Sequence, residues 1–202
     1  MKYRILLVLL LSIAGLVGCA KTPKLAQLPP EASILAFGDS LTFGTGAQPA
    51  ESYPAVLAVL TGHPVVNAGI PGQTSAEGRE RLAQTLNDTH PALLILCMGG
   101  NDFLQKFPEK QTVANLRAMI ELTQSQQVPI LLIATPRPGL GISIPDFYAS
   151  LAKQYAIPLE AKALEDILSK RALKSDLVHP NATGYRQLAE AIDLVLKKAG
   201  AL

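Results

Sequence analysis

Lys2 and Arg4 open the chain, and an almost wholly apolar stretch runs from Ile5 to Gly18. A bilayer-spanning helix needs about 20 such residues, so this shorter stretch reads as the core of a signal peptide. From Ser33 onward the pattern changes and repeats. Short apolar runs stand at Ile34–Phe37, Val65–Asn67, Leu93–Met98 and Ile130–Ala134, with a weaker one at Ile157–Leu159. They lack clean polar alternation, which predicts strands covered on both faces.

Helical spacing fills the gaps between these runs. Tyr53, Val56, Leu57 and Leu60 share one face, as do Leu82, Ala83 and Leu86. Val113, Leu116 and Ile120 form a third stripe, and Phe147, Tyr148, Leu151 and Tyr155 a fourth. The clearest stripe is Tyr185, Leu188, Ala189, Ile192, Val195 and Leu196, closed by Lys197, Lys198 and Gly200. Strands alternating with helices predict a parallel sheet between two helix layers, an α/β fold formed by one domain over 33–202. Residues 19–32 carry three Pro and few apolar anchors and read as a tether.

Composition narrows the picture. Of 202 residues, 49% are hydrophobic and 17% charged, which excludes general disorder and a coiled coil. The net charge of +2 has both signs scattered, with no basic run for nucleic acid. Loss of residues 1–18 would remove Lys2 and Arg4 and balance the charge. Two Cys build no disulfide scaffold. Cys97 lies within an apolar run and reads as a core residue.

In parallel sheets, chemistry gathers beyond the carboxyl ends of the strands. There the chain carries Gly38-Asp39-Ser40-Leu41 after the first strand and Gly69-Ile70-Pro71-Gly72-Gln73-Thr74-Ser75 after the second. Gly99-Gly100-Asn101-Asp102 follows the third, and Asp176-Leu177-Val178-His179-Pro180 precedes the last helix. These residue types make up a nucleophile, a base, a carboxylate to orient the base, and donors for an oxyanion. Serine needs an adjacent general base. Histidine suits that task at neutral pH. Amide donors match the negative charge that develops on an attacked carbonyl oxygen.

The four blocks, in this order, resemble the GDSL or SGNH family of serine esterases and lipases, in its bacterial arylesterase, thioesterase and lysophospholipase branch. The resemblance implies a flavodoxin-like three-layer α/β/α sandwich with about five parallel strands and no cofactor. It implies Ser40 as nucleophile, His179 as base and Asp176 as its partner. The oxyanion hole would be the backbone N–H groups of Ser40 and Gly72 and the amide of Asn101. In this branch the segment from Phe103 to Lys110 contacts substrate. The expected activity is hydrolysis of carboxylic esters of small or medium acyl groups. The alternatives are a thioesterase or lysophospholipase, a deacetylase of cell-wall sugars, and a non-catalytic binding lipoprotein.

Leu16-Val17-Gly18-Cys19 resembles the lipobox of bacterial lipoproteins. It implies cleavage before Cys19, a lipid on its sulfur and attachment to a membrane of the cell envelope. Ala20 after the Cys favours the periplasmic face of the outer membrane in a Gram-negative cell. Of the other histidines, His63 and His90 precede strands and should lie at the opposite sheet edge. Asp-x-x-His can also bind a metal, but no third ligand is spaced to join it, so no metal is expected. Asp39 suits a structural hydrogen bond in its turn, and Asp102 has no evident role. The Lys and Arg residues on helices read as solvated faces.

Overall fold

The computed structural model describes residues 22–139 and 141–202. The expected signal segment, 1–18, and Cys19 lie outside the described residues. In chain order the elements begin with β1 (Ile34–Gly38), α1 (Ser40–Phe43), α2 (Tyr53–Thr61), β2 (Val65–Gly69) and α3 (Ser75–Thr89). They continue with β3 (Leu93–Cys97), α4 (Gly100–Leu104), α5 (Glu109–Ser125) and β4 (Ile130–Ile133). Then come β5 (Arg137–Pro138), β6 (Ile142–Ser143), α6 (Phe147–Gln154), β7 (Leu159–Glu160), α7 (Ala163–Leu168) and α8 (Ala182–Ala199).

Five strands form one parallel sheet in the order β2-β1-β3-β4-β7. Alternate residues of each central strand face opposite layers, as the period of two requires. Ile34, Ala36, Ile95 and Ile133 pack toward Leu57 of α2, Leu164 of α7 and Leu188 and Ile192 of α8. Leu35, Phe37, Leu96 and Leu132 pack toward Leu82 of α3, Leu116 and Ile120 of α5 and Leu151 of α6. Two apolar cores therefore sandwich the sheet, as the expected three-layer architecture requires. The five helical stripes become α2, α3, α5, α6 and α8.

Three features differ from the expectation. β2 is an edge strand, hydrogen-bonded only to β1, and its residues are half-buried or exposed. Its apolar run signals one-sided packing, not cover on both faces. The fifth strand is shorter than its apolar run and shifted, because only Leu159 and Glu160 pair with β4. The two-residue strands β5 and β6 are too short to show a periodicity, and α7, whose Leu164, Ile167 and Leu168 stand at helical spacing, is absent from the expected helices.

The described part of the 19–32 segment lies on the domain. Leu25 and Leu28 donate backbone hydrogen bonds to Ala199 and Ala201 at 2.9 Å each, and Leu28 is buried in the core beneath α8. Lys24 Nζ donates to the Lys198 carbonyl. Any free tether therefore ends before Lys24. Two leucines supply the anchors that composition did not reveal.

Candidate active site

The turn after β1 is dictated by crowding. A Cβ at Gly38 would lie 2.1 Å from Thr42 Oγ1 and 2.4 Å from the Cys97 carbonyl of neighbouring β3. Only glycine allows that approach. Asp39 then caps α1, its Oδ1 accepting from Leu41 N–H at 3.0 Å, which leaves Ser40 on the first helical residue. Asp39 is 1% exposed. Burial pushes its carboxyl up to about 7, against the lowering pull of the Leu41 hydrogen bond and the charge of His179.

The loop before α8 folds tightly on itself. Ser175 N–H donates to the His179 carbonyl, and Asn181 N–H to the Leu173 carbonyl. Asp176 Oδ1 accepts from the backbone N–H groups of Val178 and His179 at 2.8 and 2.9 Å, an Asx turn. Its Oδ2 is thereby turned toward His179 Nδ1, 2.7 Å away. His179 Nε2 lies 2.9 Å from Ser40 Oγ, across 139 positions of sequence. The tautomer that satisfies both contacts carries its proton on Nδ1 and offers Nε2 as acceptor to the serine hydroxyl. Partial burial raises the Asp176 carboxyl, but the His179 ring and the two backbone donors outweigh it and hold it below the ordinary range.

Asn101 stands on α4, just after β3. Its Nδ2 donates to the Gln73 carbonyl at 2.9 Å and lies 3.4 Å from Asp39 Oδ2. Ser40, Asn101 and His179 line one cavity, whose other wall is apolar and includes Leu104, Ile142, Leu168 and Leu177. Leu104 belongs to the expected substrate-contacting segment. Gly72, with a left-handed φ of 79°, does not line this cavity; it sits on an exposed loop over a separate shallow depression with Gln73 and Arg81, and that loop reaches Asn101 through the Gln73 carbonyl. The other two histidines lie elsewhere. His63 faces the Ala32 carbonyl ahead of β2, and His90 ends α3 ahead of β3.

Two residues took no part in the sequence-based site. Asp102 is buried and accepts from Ser75 N–H at 2.8 Å, from Ser75 Oγ and from Thr112 Oγ1. It ties the Gly72 loop to the turn that carries Asn101. Arg81, read with the other helix cations as solvent-facing, instead turns inward. Its guanidinium lies 3.8 Å from the centre of the Phe37 ring and donates to the Gly38 and Ala68 carbonyls and to Gln73 Oε1. A sequence signal existed, since Arg81 flanks Gly78 and Leu82 on the inward face of α3.

A serine bonded to an imidazole, whose other nitrogen meets a carboxylate, beside a side-chain amide in an apolar cavity, is suited to acyl transfer. The chain is similar to known proteins. It is 30% identical to the thioesterase 1/protease 1/lysophospholipase L1 of Escherichia coli K12 over 166 residues, covering 78% of this chain and 80% of that protein. It is 30% identical to an arylesterase of Vibrio mimicus over 176 residues, covering 82% and 88%. The crystal structure of AlinE4, an SGNH-hydrolase family esterase, superposes with a TM-score of 0.65 at 32% identity, covering 86% of this chain and 98% of that one. Residues 36–187, which hold all four blocks, match the GDSL-like lipase/acylhydrolase family. The chain belongs to that family and is an SGNH hydrolase of the carboxylic-ester type.

Proposed function

We propose that the chain is a lipid-anchored serine esterase that hydrolyses carboxylic esters of small or medium acyl groups through an acyl-enzyme on Ser40. The observation that carries this reading is the 2.9 Å contact between Ser40 Oγ and His179 Nε2, with Asp176 on the opposite nitrogen. Ser40 Oγ attacks the ester carbonyl carbon while its proton passes to His179 Nε2. The carbonyl oxygen becomes an oxyanion held by the N–H groups of Ser40 and Gly72 and by Asn101 Nδ2. Collapse breaks the bond to the alkoxide, which leaves with the proton from His179. Water then gives a proton to His179, attacks the acyl-serine and releases the acid as Ser40 regains its proton. Asp176 orients the imidazole and stabilises its charged form.

The apolar cavity wall favours the acyl part of the ester, and the name of the Vibrio mimicus relative, arylesterase, supports carboxylic esters as substrates. The Escherichia coli relative's name favours a second reading, a thioesterase or lysophospholipase. The docked segment bears on that choice. α8 starts beside His179 and rises about 27 Å to the end that Leu25 grips. A lipid on Cys19 would hold the domain by the edge opposite the cavity. That arrangement favours esters arriving from the aqueous side over lipids of the anchoring membrane.

The deciding experiment combines a fluorophosphonate label with hydrolysis rates on p-nitrophenyl esters, acyl thioesters and lysophospholipids. Label on Ser40 and fastest turnover of short esters are expected. Absence of both labelling and turnover would leave a non-catalytic binding protein. Fastest turnover of a lysophospholipid would favour the second reading.

A further inference from the structure

Arg81 is a half-buried cation that the proposed chemistry does not use. Its partners are all neutral. Nη2 donates to the Ala68 carbonyl at 2.8 Å and to the Gly38 carbonyl at 3.1 Å, the last turns of β2 and β1. Nε donates to Gln73 Oε1 at 2.7 Å. Among the described residues, no ion pair involves it. The planar fork reaches three segments at once while resting on Phe37, a geometry that the single ammonium of lysine does not reproduce.

These segments are the ones that bound the site. Gly38 precedes Asp39 and Ser40, and its carbonyl also accepts from Ile70 N–H at 3.1 Å, where the Gly72 loop begins. Gln73 is held twice, its side chain by Arg81 and its backbone carbonyl by Asn101 Nδ2 at 2.9 Å. Gln73 N–H closes the turn onto the Ile70 carbonyl, so the loop has little freedom once both ends of Gln73 are fixed.

We propose that Arg81 is a positioning residue of the oxyanion hole, setting the Gln73 carbonyl that orients the Asn101 amide and the strand end that carries Ser40. The proposal rests on the reading of Asn101 and Gly72 as oxyanion donors. An unrestrained Gln73 lets the amide rotate and the loop drift. The loss then falls on the transition state, because the oxyanion forms only there. Burial lowers the pKa of the guanidinium, yet an arginine keeps its charge at working pH.

The test measures kcat per active site, counted by the acyl burst of a p-nitrophenyl ester, for Arg81→Met, Arg81→Lys and Gln73→Met. Arg81→Met should lower kcat by roughly 10- to 100-fold with KM within about threefold, the scale of a misplaced catalytic group. Binding of a trifluoromethyl ketone, which forms a tetrahedral adduct on serine, should weaken by the same factor as kcat/KM. Arg81→Lys should recover only part of the loss. Gln73→Met removes one link from an exposed loop and keeps the test open if the Arg81 variants do not fold; it should lower kcat several-fold. A lowered melting temperature with unchanged kcat per titrated site would overturn the proposal and leave Arg81 a purely structural brace. Asn101→Ala run alongside separates the two readings. If it too leaves kcat unchanged, the oxyanion assignment fails; if it alone lowers kcat, only the role of Arg81 fails.

Discussion

Asp102 grips Ser75 twice, once through the backbone N–H at 2.8 Å and once through the hydroxyl, across 27 positions of sequence. This pair locks the start of α3 to the turn that carries Asn101, so the second and third motif blocks are joined by a buried contact. Asn115 Nδ2 and Thr112 Oγ1 extend the contact into α5.

Replacing Asp102 with Asn points an amide at donors that need an acceptor. A buried polar group left unsatisfied costs about 1–3 kcal/mol, so Asp102→Asn should lose stability on that scale in denaturant unfolding. Its kcat should fall as well, because Ser75 opens the helix directly after the Gly72 loop. A variant with wild-type stability and wild-type kcat would show that the pair holds nothing the site needs.

Asn101→Ala removes the amide proposed as an oxyanion donor. The expected loss in kcat is roughly 10²–10³, with a smaller change in KM. Steady-state kinetics on a p-nitrophenyl ester decide it. A change confined to KM would mark Asn101 as a binding group for substrate.

For the triad, the sign of the pH dependence follows from the site. Burial raises the Asp176 carboxyl, but its hydrogen bonds from His179 and Val178 bring it below the ordinary range, so it keeps its charge into acid. His179 Nε2 faces the Ser40 hydroxyl as its acceptor, and the orienting carboxylate of Asp176 should not limit kcat/KM until well into acid. His179→Ala should nearly abolish turnover, and Asp176→Asn should cost less, each in a chain whose circular dichroism is unchanged. A folded His179→Ala variant with wild-type kcat/KM would overturn the assignment of His179 as the base.

Asp39 gives a separate handle on stability. Burial raises its carboxyl to about 7 in the folded chain, so the native state holds this proton longer than the unfolded state does. Its ionisation thus opposes folding as pH rises from about 4 toward 7 and adds no further penalty above that. Asp39→Asn retains a good N-cap residue and cannot ionise. Relative to wild type it should gain stability between pH 4 and 8, by up to ~4 kcal/mol. Urea melts of both proteins at the two pH values test this, and a stability difference independent of pH would refute it.

Membrane attachment depends on one atom in the proposed reading. Cys19→Ser should leave kcat unchanged and move the enzyme from the membrane fraction to the soluble one. Retention in the membrane, with no lipid mass on the wild-type N-terminus, would remove the lipoprotein assignment.

Local sequence determined the elements, because burial against a sheet imposes its period on the chain directly. The runs at Ile34, Leu93 and Ile130 became central strands, and the stripe from Tyr185 to Leu196 became α8. The candidate residues were also legible, since Ser40, Gly72, Asn101, Asp176 and His179 stand in short motifs beside those elements. Tertiary structure decided what is pairwise over long distances. That Val66 faces outward at a sheet edge depends on which strand has no second neighbour. That Leu28 is a core residue depends on α8, more than 150 positions later. Arg81 looked like any surface cation until Phe37, Gly38, Ala68 and Gln73 converged on it. No periodicity records such convergence, because it joins residues whose only common property is where the folded chain brings them.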